Sequence, residues 1–278
     1  MTDPAPLPSD LPQPDLPQPD LPQPDLPPIR RFTSADGLSL AYRHAAGTCP
    51  LIVFLPGYMS EMAGGKACAV MADTVARGQA CLLLDYSGCG ESEGDFADGT
   101  LTRWRDEVVA LIDHVGAGTP QCPVVIAGSS MGGWLMLLVA EAITARTGPD
   151  AVRALVGIAP APDFVTWGYS DAQKATLERG DVWLEENIYG PEPTPYHPAF
   201  YRDGLTLLRL DGGIDLTCPV RILQGQQDRD VPWQTALRLS DALAATDVQV
   251  RLIKDGDHRL SRDADIALLL QTVREFGS

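Results

Sequence analysis

The fold turns on the reading of residues 124–137, VVIAGSSMGGWLML. Gly128-Ser129-Ser130-Met131-Gly132 fits G-x-S-x-G with Ser130 at its centre, whereas Ser129 would be flanked by Ala127 and Met131. The pattern occurs a second time, as Gly90-Glu91-Ser92-Glu93-Gly94, so it cannot by itself name a nucleophile. The flanks separate the two. A serine on a nucleophile elbow needs a buried strand running directly into a helix, with small neighbours that let the backbone fold back. CPVVIA (122–127) is a β-branched apolar run and GWLMLLVAEAITA (133–145) is a helix-forming stretch, so Ser130 stands on a strand-to-helix junction. Around Ser92 the sequence SGCGESEGDFADG has turn composition with no helix behind it. Ser130 is therefore the candidate nucleophile and Ser92 a loop residue.

Outward from this junction, apolar strands alternate with amphipathic helices. A hairpin is predicted over 30–44 around Asp36-Gly37. Strands are predicted at 51–55, 80–85, 154–159, 220–225 and 248–253, and helices at about 64–77, 101–115, 233–245 and 264–276. Continuous apolar strands between helices imply an α/β fold with a mostly parallel sheet covered on both faces. Active sites on such sheets lie beyond the carboxyl ends of the strands. Residues 161–215 break the alternation and hold 8 of the 18 aromatics, among them Phe164, Trp167, Tyr169, Trp183, Tyr189 and Tyr196. A helical lid over the carboxyl ends is expected there.

A serine hydroxyl attacks well only when a base takes its proton, most often a histidine oriented by a carboxylate. Of four histidines, His44 falls in the hairpin, His114 at a helix end, and His197 between Pro195 and Pro198. His258 follows the last strand, at the active end of the sheet, and is the expected base. In GQQDRDVPW the acid is assigned to Asp228, with Asp230 its competitor and Asp163 a weaker third candidate. Oxyanion donors are expected from the backbone N–H of Met131, directly after the nucleophile, and of Tyr58 in the PGYMSEM loop, where Gly57 permits close approach. AGGKA (63–67) is not a phosphate loop, because Ser60 occupies the first-glycine position and Ala67 follows the lysine. No metal motif and no cofactor motif is present, and neither is expected.

Composition narrows the remaining possibilities. At 278 residues the chain suits one large α/β domain over 30–278. A formal charge of −16 argues against nucleic acid as a partner, and no apolar run of 18 residues suggests a membrane span. The six cysteines, with no C-x-x-C pair, read as small buried hydrophobes in a reducing compartment, and a cytoplasmic location follows as the expectation. Residues 1–29 form a Pro-rich tail with three tandem LPQPD copies at 11–25, expected to be extended and solvated, a linker or a docking motif for an unknown partner.

Taken together, these motifs resemble the α/β-hydrolase superfamily across residues 30–276. FLPGY (54–58) stands at the oxyanion loop, DYSGCGES (85–92) looks like the D-x-x-G-x-G-x-S loop, and GSSMGGW, LQGQQDRDVPW and DGDHRLS supply serine, acid and histidine in the family's chain order. More narrowly, GSSMGGWLML, CPVRILQGQQDRDVPW and DHRL followed by ADIALLL resemble the mitochondrial palmitoyl-protein thioesterase and acyl-glucuronide esterase branch and its bacterial relatives. The resemblance implies an eight-stranded sheet and hydrolysis of acyl esters or thioesters through Ser130, Asp228 and His258, without a cofactor. It implies a small-molecule or acyl-protein substrate. Pro56 and Gln224 depart from residues common in the superfamily, and no mitochondrial presequence is visible in the acidic tail.

Overall fold

The computed structural model of the chain describes residues 26–186 and 192–277. The LPQPD copies and Tyr189 lie outside the described residues. Eight strands form one sheet in the order β1-β2-β4-β3-β5-β6-β9-β10. These are β1 (Arg30–Thr33), β2 (Ser39–Ala45), β3 (Thr48–Leu55), β4 (Gln79–Leu84), β5 (Val124–Ser129), β6 (Val152–Ile158), β9 (Val220–Gly225) and β10 (Val248–Ile253). The hairpin strands β1 and β2 pair antiparallel, and β2 pairs antiparallel with β4; every other pairing is parallel.

Why β3 is apolar from Leu51 to Leu55 is visible in where its side chains go. Leu51, Val53 and Leu55 of β3 pack on one face, with α2 (Leu101–His114), α3 (Met131–Thr147) and α7 (Gln234–Ala242), while Ile52 and Phe54 pack on the other, with α1 (Gly65–Ala76) and α8 (Asp263–Arg274). Both sets must be hydrophobic because both faces are covered. α3 is buried at every position from Met131 to Ala140, as expected of a helix enclosed between sheet and neighbours.

Between β6 and β9 the chain leaves the sheet. This insertion contains α4 (Phe164–Trp167), α5 (Asp171–Arg179) and α6 (Pro198–Leu205), together with an antiparallel ribbon of β7 (Trp183–Glu185) and β8 (Thr194–Tyr196). The ribbon departs from the purely helical lid expected from sequence. Its strands have three residues each, too few for a period-2 pattern to register. α5 is entered through a capping box, in which the Ser170 hydroxyl accepts from the Gln173 amide and the Gln173 carboxamide accepts from the Ser170 amide.

The cysteine reading needs correction. Cys49, exposed at the start of β3, and Cys122, just before β5, form a disulfide across 73 residues with Cα atoms 5.2 Å apart. The parallel pairing of β3 with β5 brings these two positions together, which spacing along the chain could not reveal. Cys68, Cys81, Cys89 and Cys218 are free and buried or half-buried, as expected. Because a structural disulfide belongs to an oxidising setting, the cysteines no longer argue for a reducing one. Among the described residues no helix is long and apolar enough to cross a membrane.

Candidate active site

At the junction of β5 and α3, Ser130 adopts φ 55° and ψ −120°, a left-handed conformation that a residue with a side chain rarely holds. Three hydrogen bonds keep it there: Ser130 N–H donates to Ile158 O (2.9 Å), and Ser130 O accepts from the amides of Gly133 (2.8 Å) and Ala161 (3.0 Å). The flanking glycines are steric requirements of this bend. A Cβ on Gly128 would lie 2.2 Å from Gly132 O, and one on Gly132 would lie 2.2 Å from Leu55 O. Backbone meets backbone at both positions, so no side-chain rearrangement could make room.

His258 is carried on the loop after β10. Its Nε2 lies 3.1 Å from Ser130 Oγ and its Nδ1 2.9 Å from Asp228 Oδ2. Asp228 ends the turn after β9, and its side chain is fully buried. Oδ1 accepts from the backbone amides of Asp230 (2.9 Å) and Val231 (2.8 Å), while Oδ2 accepts from Gln224 Nε2 (2.9 Å) in addition to facing the imidazole. A buried carboxylate requires donors of this number. They also fix the tautomer: a carboxylate can only accept, so Nδ1 carries the proton and Nε2 is left to accept from the serine hydroxyl.

The competing assignments fall elsewhere. Asp230 is exposed, and its amide supports Asp228. Asp163 is buried and accepts from the amides of Arg209 and Leu210, clamping the two ends of the insertion together; burial pushes its carboxyl upward. Ser92 is a structural serine: its hydroxyl donates to Asp85 O (2.7 Å) and accepts from Ala41 N–H (2.8 Å), joining the end of β4 to β2. His114 lies against Tyr42 and Phe32, and His197 against Phe96, both away from Ser130.

Asp228, Asp230 and His258 each present an atom within 4.8 Å of the others, the spacing of a metal site. The donor set does not fit an ion. Both oxygens of Asp228 are saturated by N–H donors, and a cation there would have to displace the His258 and Gln224 contacts.

A cavity of about 760 Å³ opens beside Ser130 and His258. Phe164, Trp167, Tyr169 and Tyr196 of the insertion form its aromatic wall, and Tyr58 and Met131 border it next to Ser130. The loop carrying Tyr58 runs close to the serine, since a Cβ on Gly57 would be 3.3 Å from Ser130 Cβ. Tyr58 also locks this loop to the insertion: its hydroxyl donates to Pro195 O (2.8 Å), and its ring stacks on Tyr196 at 5.4 Å and meets Phe96 and Phe200 edge-on. Burial drives its phenol well above the usual range.

Two residues not assigned to the site from the sequence take part. Lys66, from the discarded phosphate-loop match, donates to Arg259 O and to Ser261 Oγ (3.2 Å), so the start of α1 grips the loop that carries His258. Burial, and then the charge of Arg259, pull its amine down to about 8. Gln224 donates to Asp228, and its signal in the sequence was its departure from the residues common at that position in the superfamily.

This combination of an elbow serine, a histidine and a buried aspartate at the carboxyl ends of a mostly parallel sheet has a counterpart among known families. The model of the Alpha/beta hydrolase family matches residues 52–268. The chain belongs to that family. It is accordingly a hydrolase, and the resemblance read from its motifs agrees with its relatives. The mouse mitochondrial palmitoyl-protein thioesterase ABHD10 is 40% identical over 245 residues, spanning 86% of this chain and 78% of that protein. The human protein of the same name is 37% identical over 242 residues, spanning 86% and 76%. Among solved structures, a hydrolase from Agrobacterium vitis S4 superposes with a TM-score of 0.82 at 37% identity, covering 90% of this chain and all of that one. Mouse alpha/beta hydrolase domain-containing protein 10 gives 0.78 at 38%, covering 89% and 97%. These α/β hydrolases share the sheet and the flanking helices described above.

Proposed function

We propose that this α/β hydrolase cleaves acyl esters or thioesters through Ser130, His258 and Asp228. The observation that carries the reading is the continuous hydrogen-bonded line from Ser130 Oγ to His258 Nε2 (3.1 Å) and from Nδ1 to Asp228 (2.9 Å), ending on a carboxylate that its surroundings hold in place. Ser130 Oγ attacks the acyl carbonyl as its proton passes to Nε2, forming a tetrahedral intermediate. The backbone N–H groups of Tyr58 and Met131 stabilise the oxyanion. The imidazolium then returns the proton to the departing alcohol or thiol, leaving an acyl-enzyme. Water attacks this ester with His258 as base and regenerates the serine. Asp228 keeps the imidazole in the productive tautomer throughout.

The aromatic wall and a volume of about 760 Å³ suit an apolar acyl group. The relatives named palmitoyl-protein thioesterase support a long-chain thioester as substrate. The test is a fluorophosphonate probe applied to wild type and Ser130→Ala, followed by hydrolysis of long-chain thioesters, acyl glucuronides and short-chain esters. Labelling of wild type that Ser130→Ala abolishes is the expected result. A folded wild-type protein that takes no label would leave a binding scaffold instead, and turnover confined to short-chain esters would reassign it as a small-ester carboxylesterase.

A further inference from the structure

Gln224 is fully buried at the carboxyl end of β9, where an apolar residue would continue the strand pattern. Its carboxamide orientation is fixed by its surroundings. Nε2 faces three acceptors: Asp228 Oδ2 at 2.9 Å, Gly225 O at 3.3 Å and Val231 O at 3.4 Å. Turning the amide over would place its oxygen against all three. The cost of this orientation falls on Oε1, which is buried and has no hydrogen-bond partner among the described residues. A side chain that leaves one end unsatisfied in order to aim the other at a carboxylate is not explained by packing alone.

The oxygen it serves is the one that matters. Asp228 Oδ1 is taken by two backbone amides, whereas Oδ2 is shared between Gln224 Nε2 and His258 Nδ1. We propose that Gln224 is a positioning residue for the hydrolysis assigned above: it holds Asp228 Oδ2 toward His258 and draws off part of that oxygen's charge, which sets the basicity of the imidazole. The proposal rests on the Ser130–His258–Asp228 reading. Removing the Gln224 donor concentrates negative charge on the bond to Nδ1–H, stabilises the imidazolium, and raises the pH at which His258 becomes a free base.

Two apolar variants test this. Gln224→Met removes the donor and keeps the length; Gln224→Leu removes it with a shorter, branched side chain. In each, the acid limb of the kcat/KM profile should move upward, by about half a unit or more. kcat should fall roughly tenfold, with KM within about twofold, because Asp228 is no longer held in place against the imidazole while substrate binding is untouched. A residue that served only stability would lower the melting temperature without moving the limb. A folded variant of either kind with the wild-type limb and kcat overturns the proposal, and the Leu variant decides alone should the Met variant not fold. Titration of the His258 ring followed by NMR reads the same upward shift without turnover. Absence of hydrolysis in wild type would therefore count against the reaction, and an unmoved His258 titration against Gln224.

Discussion

The two G-x-S-x-G segments of this chain are indistinguishable as patterns and opposite as structures. At 128–132 the glycines clear the backbone of a bend that lifts Ser130 toward His258. At 90–94 the constraint comes from a carboxylate, since a Cβ on Gly90 would lie 2.4 Å from Asp85 Oδ2. There, both hydrogen bonds of the Ser92 hydroxyl go to backbone. One hydroxyl faces a base, and the other is consumed in joining two strands. The second segment nevertheless serves the first. Asp85 accepts from Glu91 N–H and from Met62 N–H (2.7 Å), and so anchors the far end of the loop that brings Tyr58 beside Ser130. What distinguishes the two serines is the set of acceptors and donors around each, not the glycines that flank them.

That contrast can be broken most decisively by exchanging the two serines for alanine. Ser130→Ala should lower kcat/KM for ester hydrolysis by roughly 10⁴- to 10⁶-fold while leaving the fold intact. Ser92→Ala should leave kcat/KM within a few-fold, and the reverse ranking in a steady-state assay would exchange their roles. Next in size is the acid loop. Asp228→Asn should cost about 10³- to 10⁴-fold in kcat through loss of the productive tautomer, against a few-fold for Asp230→Asn, which keeps the amide donated to Asp228. Equal losses would mean that the two carboxylates share the task.

The structural segment responds in stability instead. Gly90→Ala must place a Cβ against Asp85 at φ +48° and should destabilise the fold by roughly 2–3 kcal/mol. Ser92→Ala loses two backbone bonds, at about 1–2 kcal/mol, both read by denaturant unfolding. A neutral Ser92→Ala would remove its structural role.

A pH-dependent effect concerns Lys66, which ties the start of α1 to the histidine loop. Its folded-state amine titrates near 8, below the ordinary 10.5. Between these values the unfolded chain holds a proton that the folded chain has released, so this group makes stability rise with pH across about pH 8 to 10.5. The stability of wild type relative to Lys66→Met should therefore increase over that window, measured as paired urea midpoints. A flat difference would mean that the amine is not desolvated.

Much of this was legible along the chain. β9 and β10 span the predicted residues, and α2 differs from its prediction by one residue at its end. The fully covered strands and the amphipathic helices carry a strong periodic signal because burial on the sheet imposes it locally. Ser130, His258 and Asp228 could be nominated because each follows a strand whose carboxyl end is predictable. The ribbon β7–β8, the Cys49–Cys122 bond and the roles of Gln224 and Lys66 left no such trace. Each depends on which distant segment lies alongside.

The sequence by itself determined the alternation of strands and helices, the order of the three candidate residues and the need for small residues at the elbow, all consequences of local sterics and of where apolar surface must go. Only the tertiary structure decided which serine faces an imidazole, which aspartate is enclosed by donors, and which buried amide and amine brace them. Those choices belong to contacts such as Ser130 with His258, 128 residues apart, and Lys66 with Arg259, 193 apart. Hydrogen bonds act over about 3 Å of space and are indifferent to distance along the chain.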